Sequence, residues 1–477
     1  MLEERRNCME MCPGRASAMQ YSLCGKMDAR AGEKLCCKEK LWGEMRMQRT
    51  MGHIRAIVSR ILFIGVSVQI LLGLLWMFWA FDDRQDFVGS VYGDWLDSYL
   101  KGLPYEPVMY LLQVCVAFGA GYWLIEGLGV RRLFWKIWGS LALLTYPFAM
   151  QCHMTILPDS LAFSCFLLLL AAGLKHKKTI YLFWLLSALF LPEYLYFGAV
   201  PVIAFFFVSA KWQDGFKKIG TELLMIGVVV VMVLGFHNLS STEHDSLEEA
   251  WFCRTVWSSF YQFYPDWPEE VRASITDEEY NAIRTLPENM TKILLPKVKD
   301  VLGEENAREW FGKFGTFVFK ANREQILSEI LKDAGGYMMP QTLVQMRLAG
   351  QGGASYCTRN YEIMRAGHPL LTRYYVDYSG IWFVTGAILM FLVLVIVFVG
   401  KIVTRQSVDL RDKKSRQWVL PASLLSGILM VIWYTLMEPN LWDPKKALFV
   451  GELWILAMVL ETIAFEKEDT SAYRNSW

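Results

Sequence analysis

The stretch "ILFIGVSVQILLGLLWMFWAF", residues 61–81, contains no charged side chain over 21 positions. A helix rises 1.5 Å per residue, so this segment is about 30 Å long as a helix and can cross the hydrocarbon core of a bilayer. A second uncharged run of 21 residues covers 380–400. A soluble protein of this size has no need of such segments, so the two runs predict a membrane protein.

Eight further apolar stretches bring the number of candidate spans to ten, in a chain that is 54% hydrophobic. The net charge is +1, and no basic stripe interleaved with aromatic residues is present, which argues against nucleic-acid binding. The predicted fold is an all-α polytopic membrane protein with about ten transmembrane helices. The further stretches lie near 107–130, 133–150, 156–174, 179–191, 195–210, 219–237, 417–436 and 447–465.

The distribution of lysine and arginine predicts the orientation. If the N-terminus is cytoplasmic, the inner loops carry fifteen of these cations and the short outer segments only four. This excess agrees with the positive-inside rule. We therefore expect both termini in the cytoplasm, and we expect the loop after residue 81 on the extracytoplasmic side.

Residues 179–210 are too long for one span and short for two. A single helix would reverse the side of every later loop, whereas a break at Leu191-Pro192-Glu193 keeps the cations inside. We therefore predict two short helices and, at their outer turn, a locally thinned region that water and headgroups can enter.

The remaining organisation follows from composition. Residues 1–50 contain five cysteines without paired C-x-x-C spacing and no hydrophobic periodicity, so they are predicted to be a disordered leader or translated upstream sequence. The expected order is then an N-terminal transmembrane module at 51–237, an extracytoplasmic region at 238–378, C-terminal spans at 379–466 and a cytoplasmic tail at 467–477.

The extracytoplasmic region is predicted to be a small helical domain. Thr276-Asp277-Glu278-Glu279 is a cap followed by a first turn, and 322–331 has apolar residues at helical spacing. Cys253 and Cys357 could form a disulfide in an oxidising exterior or remain two thiols.

Acidic residues cluster on the predicted outer side. Asp82 and Asp83 follow the first span, and Asp159 opens the fourth. Capping explains one aspartate at a helix start, but it does not explain two acidic groups facing each other across the same membrane surface. Between residues 88 and 101, apolar residues recur at helical spacing, which predicts an interfacial amphipathic helix beside these acids.

These residues resemble the GT-C membrane glycosyltransferases, a family that includes the protein mannosyltransferases and the bacterial aminoarabinose transferases. Four features carry the resemblance, mainly over residues 60–240. They are Asp82-Asp83 followed by an amphipathic helix, Ile156-Leu157-Pro158-Asp159-Ser160-Leu161, Leu191-Pro192-Glu193 between two short helices, and Asp443-Pro444-Lys445-Lys446 before the last span.

The resemblance implies an inverting transfer of a sugar from a polyprenyl-phosphate donor to an extracytoplasmic acceptor. Asp82 or Asp83 would be the general base and Asp159 a second acidic partner, or a ligand if Mg²⁺ or Mn²⁺ takes part, as in some members. Relatives commonly carry an Arg-Tyr element where this chain has two lysines. The candidate donor and acceptor contacts are Arg84, His153, Glu193, Arg373, Lys445 and Lys446.

Other interpretations stay open at this stage. A transporter or flippase of lipid-linked sugars should show internal repeats and ionisable residues near the midplane, and no convincing repeat is found. A non-catalytic membrane protein that presents its external domain to a partner is the third class. His153 and Glu193 could be structural, and Glu452 and Glu461 could be functional, paired with a neighbouring helix or protonated.

Overall fold

The computed structural model describes residues 29–80, 105–154, 158–175, 177–209, 216–239, 247–257, 260–285, 289–338, 369–404, 416–437 and 445–474. Every regular element in these ranges is helical, which confirms the predicted all-α class. The chain divides into two compact units, residues 58–393 with 408–477 and residues 1–57 with 394–407. The side-chain contacts below lie within the first of these.

The helices are numbered in chain order. The first eight are α1 Ala29–Ala80, α2 Tyr105–Gly127, α3 Leu133–Leu144, α4 Pro147–Met154, α5 Pro158–Leu174, α6 Ile180–Phe190, α7 Tyr194–Ser209 and α8 Phe216–Leu239. The next seven are α9 Leu247–Val256, α10 Phe260–Phe263, α11 Glu269–Ser274, α12 Asp277–Thr285, α13 Leu295–Leu302, α14 Glu304–Ala321 and α15 Arg323–Met338. The last three are α16 Pro369–Thr404, α17 Arg416–Met437 and α18 Lys445–Arg474.

Two helical segments, Thr50–Phe78 and Val108–Gly127, are long and apolar enough to cross a membrane. Seven shorter apolar helical segments accompany them within the described ranges. Length and composition therefore support membrane association, while the full set of ten spans stays a prediction. The shorter segments are Leu133–Leu144, Pro158–Leu174, Ile180–Phe190, Tyr194–Phe207, Ile219–Gly235, Ile381–Ile396 and Pro421–Leu436.

The hydropathy pattern of residues 133–150 suggested one continuous helix. The structure instead divides this stretch into two helices. Helix α3 ends at Leu144, where Thr145 N–H donates to the Leu141 carbonyl at 2.9 Å, and α4 begins at Pro147. Proline has no N–H to donate and its ring clashes with the preceding turn, so a helix restarts at this residue instead of running through it.

The predicted break at Leu191-Pro192-Glu193 is present. Leu191 adopts extended backbone angles, and Trp184 Nε1–H donates to the Leu195 carbonyl at 3.0 Å across the turn. Helix α6 has 11 residues, while the neighbouring α5 has 17. At 1.5 Å per residue, the turn after α6 therefore ends about 9 Å short of the start of α5.

Helices α1 and α16 are fixed against the α3–α4 segment by long-range hydrogen bonds. Trp138 Nε1–H donates to Ser67 Oγ at 3.0 Å, and Tyr375 Oη donates to the Thr145 carbonyl at 2.6 Å. Because Tyr375 belongs to α16, residues 369–378 join the bundle instead of the external domain to which the sequence analysis assigned them.

One end of the bundle carries the cations that were predicted to face the cytoplasm. Glu126 pairs with Lys136 at 2.7 Å and also with Lys175, and Lys178 pairs with Glu222 at 3.2 Å. These contacts join the end of α2, the start of α3, the segment after α5 and the start of α8. The loops that the charge pattern placed on one side therefore meet in space.

The described part of the predicted external domain, helices α9–α15, is helical as expected. Its core is aromatic, with the ring of Phe252 5.2 Å from that of Trp310 and 4.9 Å from that of Phe311. Helices α9 and α15 pack against α17. Cys253 is buried and Cys357 lies outside the described residues, so the disulfide stays untested.

Both chain ends differ in part from the expectation. Residues 29–50 were expected in a leader without regular structure, but they form the first turns of α1; residues 1–28 lie outside the described ranges. Residues 467–474 were expected in a tail and continue α18. Residues 29–50 contain many Glu, Lys and Arg residues, which favour helix, and neither segment contains a proline that would end one.

The cap predicted at Thr276 yields a test by pH. Thr276 N–H donates to Glu279 Oε2 at 2.9 Å, and Lys297 Nζ donates to the same oxygen at 2.5 Å. The Lys297 bond, followed by the Thr276 bonds, lowers the pKa of Glu279 from 4.5 to about 2. The stabilisation is therefore complete above pH 4.5 and is lost as the pH falls towards 2.

We expect Glu279→Gln to reduce amide hydrogen-exchange protection in α12 and α13 at neutral pH. Comparison with wild type at each pH cancels the intrinsic exchange rate, and the difference should disappear as the pH falls from 4.5 to about 2. Glu278→Gln, at an exposed neighbouring position, should match wild type throughout. A difference that does not change with pH would contradict this assignment.

Candidate functional site

The residues predicted to be the general base, Asp82 and Asp83, lie outside the described residues, as do Arg84 and the predicted interfacial helix. The structure does place the end of α1, which stops at Ala80, two residues before Asp82. The structure therefore describes the surroundings of the last turns of α1 but not the predicted base itself.

Asp159 lies in the first turn of α5 and is 5% exposed. An acidic group in a first turn interacts favourably with the helix dipole. Because its side chain is buried, however, Asp159 is more than a capping residue exposed to solvent. The sequence predicted its position at the start of this helix, and the structure adds that it faces the interior.

His153 lies beside Asp159. Its side chain is 1% exposed, and its Nδ1 is 2.8 Å from the hydroxyl oxygen of Ser160, the residue after Asp159. Burial lowers the pKa of His153 to about 4, so the imidazole is neutral at physiological pH. A neutral imidazole carries one donor and one acceptor nitrogen and can therefore hold a hydroxyl group on the side away from Ser160.

The last turns of α1 pack against α4, the helix that carries His153. Trp76, Met150 and Tyr375 form a buried cluster, in which the rings of Trp76 and Tyr375 are 5.4 Å apart. Met150 is one turn before His153, and Trp76 is one turn before the end of α1. The last described turns of α1 therefore lie next to α4, the helix that precedes Asp159 in the chain.

Arg373 lies at the same end. Its neighbours along α16, Leu371 and Tyr375, both belong to or pack on the cluster around Trp76. The Arg373 side chain itself is outside the described part of the chain. Its predicted role in donor binding stays a prediction.

Lys445 and Lys446 form the first turn of α18, and their side chains also lie outside the described part. Phe449, one turn later, has its ring 6.2 Å from the ring of Phe163, which is one turn after Asp159. The start of α18 therefore lies level with the start of α5. The lysine pair and Asp159 belong to the same end of the bundle.

Glu193 occupies a different depth. It is half-buried in the turn after α6, where Tyr434 Oη donates to its Oε1 at 3.4 Å. The next residue, Tyr194, has its ring 5.7 Å from that of Phe166, seven positions after Asp159. At 1.5 Å per residue, Glu193 lies about 10 Å further into the bundle than Asp159.

The sequence did not identify two side chains of this region, Ser160 and Tyr434, as site residues. Ser160 stood next to the predicted aspartate in "PDSLAF", and an adjacent hydroxyl was the available signal. Tyr434 was hidden in an apolar stretch, where a tyrosine gives no distinct pattern. Among the described residues no group of three His, Cys, Asp or Glu side chains is arranged to hold a metal ion, so the predicted Mg²⁺ or Mn²⁺ ligands stay a prediction.

In comparisons with known proteins, no family model, no curated protein and no solved structure matches the chain. The resemblance to the GT-C glycosyltransferases therefore rests on the residues quoted above. Function has to be argued from the geometry of the site.

Two serines of α5 offer a matched test of the His153 contact. Ser160 and Ser164 are one turn apart and fully buried. Ser160 bonds His153, whereas Ser164 Oγ has no hydrogen-bond partner among the described residues. Ser160→Ala should cost about 1–3 kcal/mol because it leaves a buried imidazole nitrogen unsatisfied.

Ser164→Ala, by contrast, should be neutral or slightly stabilising because the hydroxyl that it removes is already unpaired. The apparent melting temperature of each purified variant in detergent gives the comparison. Equal losses in the two variants would contradict the hydrogen bond as a stabilising contact.

Proposed function

We propose that this protein is a multi-pass membrane glycosyltransferase that transfers a sugar from a polyprenyl-phosphate donor to an extracytoplasmic acceptor. The observation that supports this most is the convergence at one end of the bundle. There, the last turns of α1, which precede Asp82 and Asp83 in the sequence, pack through Trp76 on Met150, one turn before His153, and His153 contacts Ser160 next to Asp159. The starts of α16 and α18 lie at the same end.

The membrane setting is supported by the outer surface of the bundle. Large apolar side chains are exposed along α8 and α16, among them Val231, Ile381 and Phe391. Contiguous apolar surface of this kind is costly in water and needs a cover. Lipid is the cover that fits the nine apolar helical segments of the described ranges, whose neighbouring cations gather at one end, and the lipid phosphate of the donor would be anchored in the same phase.

The acidic groups would act on the acceptor. A carboxylate from Asp82 or Asp83, within hydrogen-bond reach of the acceptor hydroxyl, would accept its proton as the oxygen attacks the anomeric carbon. Asp159 and the neutral His153 would orient that hydroxyl. Because the attack is a direct displacement, the configuration at the anomeric carbon inverts and the polyprenyl phosphate leaves.

The cationic groups would stabilise the departing phosphate. Arg84 and Arg373 can each offer the planar fork that matches a phosphate, while Lys445 and Lys446 supply point charges. The shorter α6, whose turn ends about 9 Å before the level of the start of α5, would give the donor headgroup a place near Glu193. A divalent ion held by Asp159 would provide further positive charge.

The proposed orientation can be tested by labelling single cysteines. Thr179, in the loop before α6, and Glu278, in α12, are both exposed. With the ten native cysteines replaced, a membrane-impermeant maleimide should label Glu278→Cys in intact cells and Thr179→Cys only after the membrane is opened. Labelling of both from the same side would overturn the topology.

The proposed base can be tested with purified protein, a radiolabelled polyprenyl-phosphate sugar and a cell-envelope acceptor fraction. Replacing the base by asparagine should lower transfer about 10²- to 10⁴-fold, so either Asp82→Asn or Asp83→Asn should show this loss. Asp159→Asn should raise the KM for the acceptor. Asp300→Asn, the same change at an exposed site, is the matched control.

Transfer that survives both Asp82→Asn and Asp83→Asn would remove this mechanism. Movement of the lipid-linked sugar across a vesicle membrane, without transfer to any acceptor, would instead support a flippase.

A further inference from the structure

A glutamate is buried inside the bundle, away from the acids of the proposed site. Glu452 lies seven residues after Lys445 on α18, which is about 10 Å along the helix axis. Its side chain is 4% exposed, and its Oε2 has no hydrogen-bond partner among the described residues. The proposed transfer reaction gives this carboxyl no role.

The carboxyl lines a small cavity between α2, α3, α5, α17 and α18. The cavity has about 20 Å³ of room for the centre of a water molecule, and its wall is mostly leucine. Glu452 and Ser423 are the polar side chains in this wall. An otherwise apolar cavity thus has two polar groups at its edge.

The surroundings favour the protonated form of this carboxyl. No lysine, arginine or histidine lines the cavity, and an ionised carboxylate without a nearby cation is strongly disfavoured in an apolar interior. The titratable neighbour is Tyr146, whose hydroxyl oxygen lies where a Cβ of residue 451 would be and which interacts electrostatically with Glu452. A phenol is neutral at physiological pH and does not compensate a carboxylate charge.

The size and lining of the cavity decide what can occupy it. A water molecule needs about 10–15 Å³ measured in this way, together with polar partners. Calcium and magnesium require about six or more oxygen ligands, which one carboxyl and one hydroxyl do not provide. The cavity therefore suits one water and a proton, and not a metal ion.

We propose that Glu452 is a proton-binding carboxyl inside the bundle that shares one water molecule with Ser423. The protonated carboxyl oxygen donates a hydrogen bond to the water, and the water donates one to the hydroxyl oxygen of Ser423. This places a proton-exchanging group in the helix packing between α17 and α18. The inference concerns a different group from the proposed general base and is independent of the transfer reaction.

Infrared spectroscopy of the purified protein in liposomes at neutral pH tests the proposal. The carbonyl stretch of a protonated carboxylic acid lies apart from the carboxylate bands, so the wild-type spectrum should contain it. Glu452→Gln, which keeps the side-chain shape, should remove this band. Transfer to D₂O should shift it, because the shared water exchanges the proton.

Glu461→Gln is the matched control, since Glu461 lies on the same helix but does not line the cavity. It should leave the band in place. Ser423→Ala should keep the band and shift its frequency, because the water loses one partner. If the spectrum of Glu452→Gln contains the same acid bands as that of wild type, the Glu452 side chain is an ionised carboxylate and the proposal is overturned.

A band that Ser423→Ala leaves unshifted would overturn the shared water. Gel filtration and the apparent melting temperature of each variant show that the helices remain assembled. If Glu452→Gln fails to assemble, the band of wild type in H₂O and D₂O together with Ser423→Ala and Glu461→Gln still decides the outcome.

Discussion

The hydrogen bond between the hydroxyl of Tyr375 and the carbonyl of Thr145 is the contact on which the arrangement of the site depends. The break between α3 and α4 leaves backbone groups without a hydrogen-bond partner within either helix. A buried carbonyl oxygen at this break must therefore accept a hydrogen bond from another part of the chain. Tyr375 supplies this donor from 230 residues away, at 2.6 Å. Such a bond contributes about 0.5–1.5 kcal/mol net, but leaving the carbonyl unsatisfied would cost more.

This contact fixes three segments at once. It holds α16 against the α3–α4 break, and the ring of the same tyrosine packs on Trp76 near the end of α1. Helix α4 then carries His153 to Ser160, next to Asp159. The described end of α1 and the start of α5 that carries Asp159 are therefore both connected to the α3–α4 break, α1 through Trp76 and α5 through α4.

The sequence predicted those parts of the fold that depend on local patterns. The break at Leu191-Pro192-Glu193 was visible because a proline and a charge interrupt an apolar run, and the Thr276 cap was visible because both partners lie within four residues. The break at Pro147 was missed because residues 133–150 have the length of one span and contain no charge after Lys136.

The arrangement of the site could be predicted only in part. The position of Asp159 at a helix start followed from "LPDSLAF", while the side of the membrane inferred from the distribution of lysine and arginine stays a prediction. The bond from His153 to Ser160, the contact of Tyr434 with Glu193 and the unpaired oxygen of Glu452 all depend on which helices become neighbours. Contacts between residues that are far apart in the chain depend on how the helices pack, and the local spacing of residues in the sequence does not predict that packing.

The pairing of Glu126 with both Lys136 and Lys175 has a mechanical consequence. One carboxylate at the end of α2 is paired with the start of α3 and with the residue that follows α5, so α3 and α5 are linked at the cationic end. Tilting of either helix would pivot about that link, and the displacement would grow along the helix towards the opposite end. Relative displacement of α3 and α5 would therefore be smallest beside Glu126 and larger towards the end of the bundle where His153 meets Ser160.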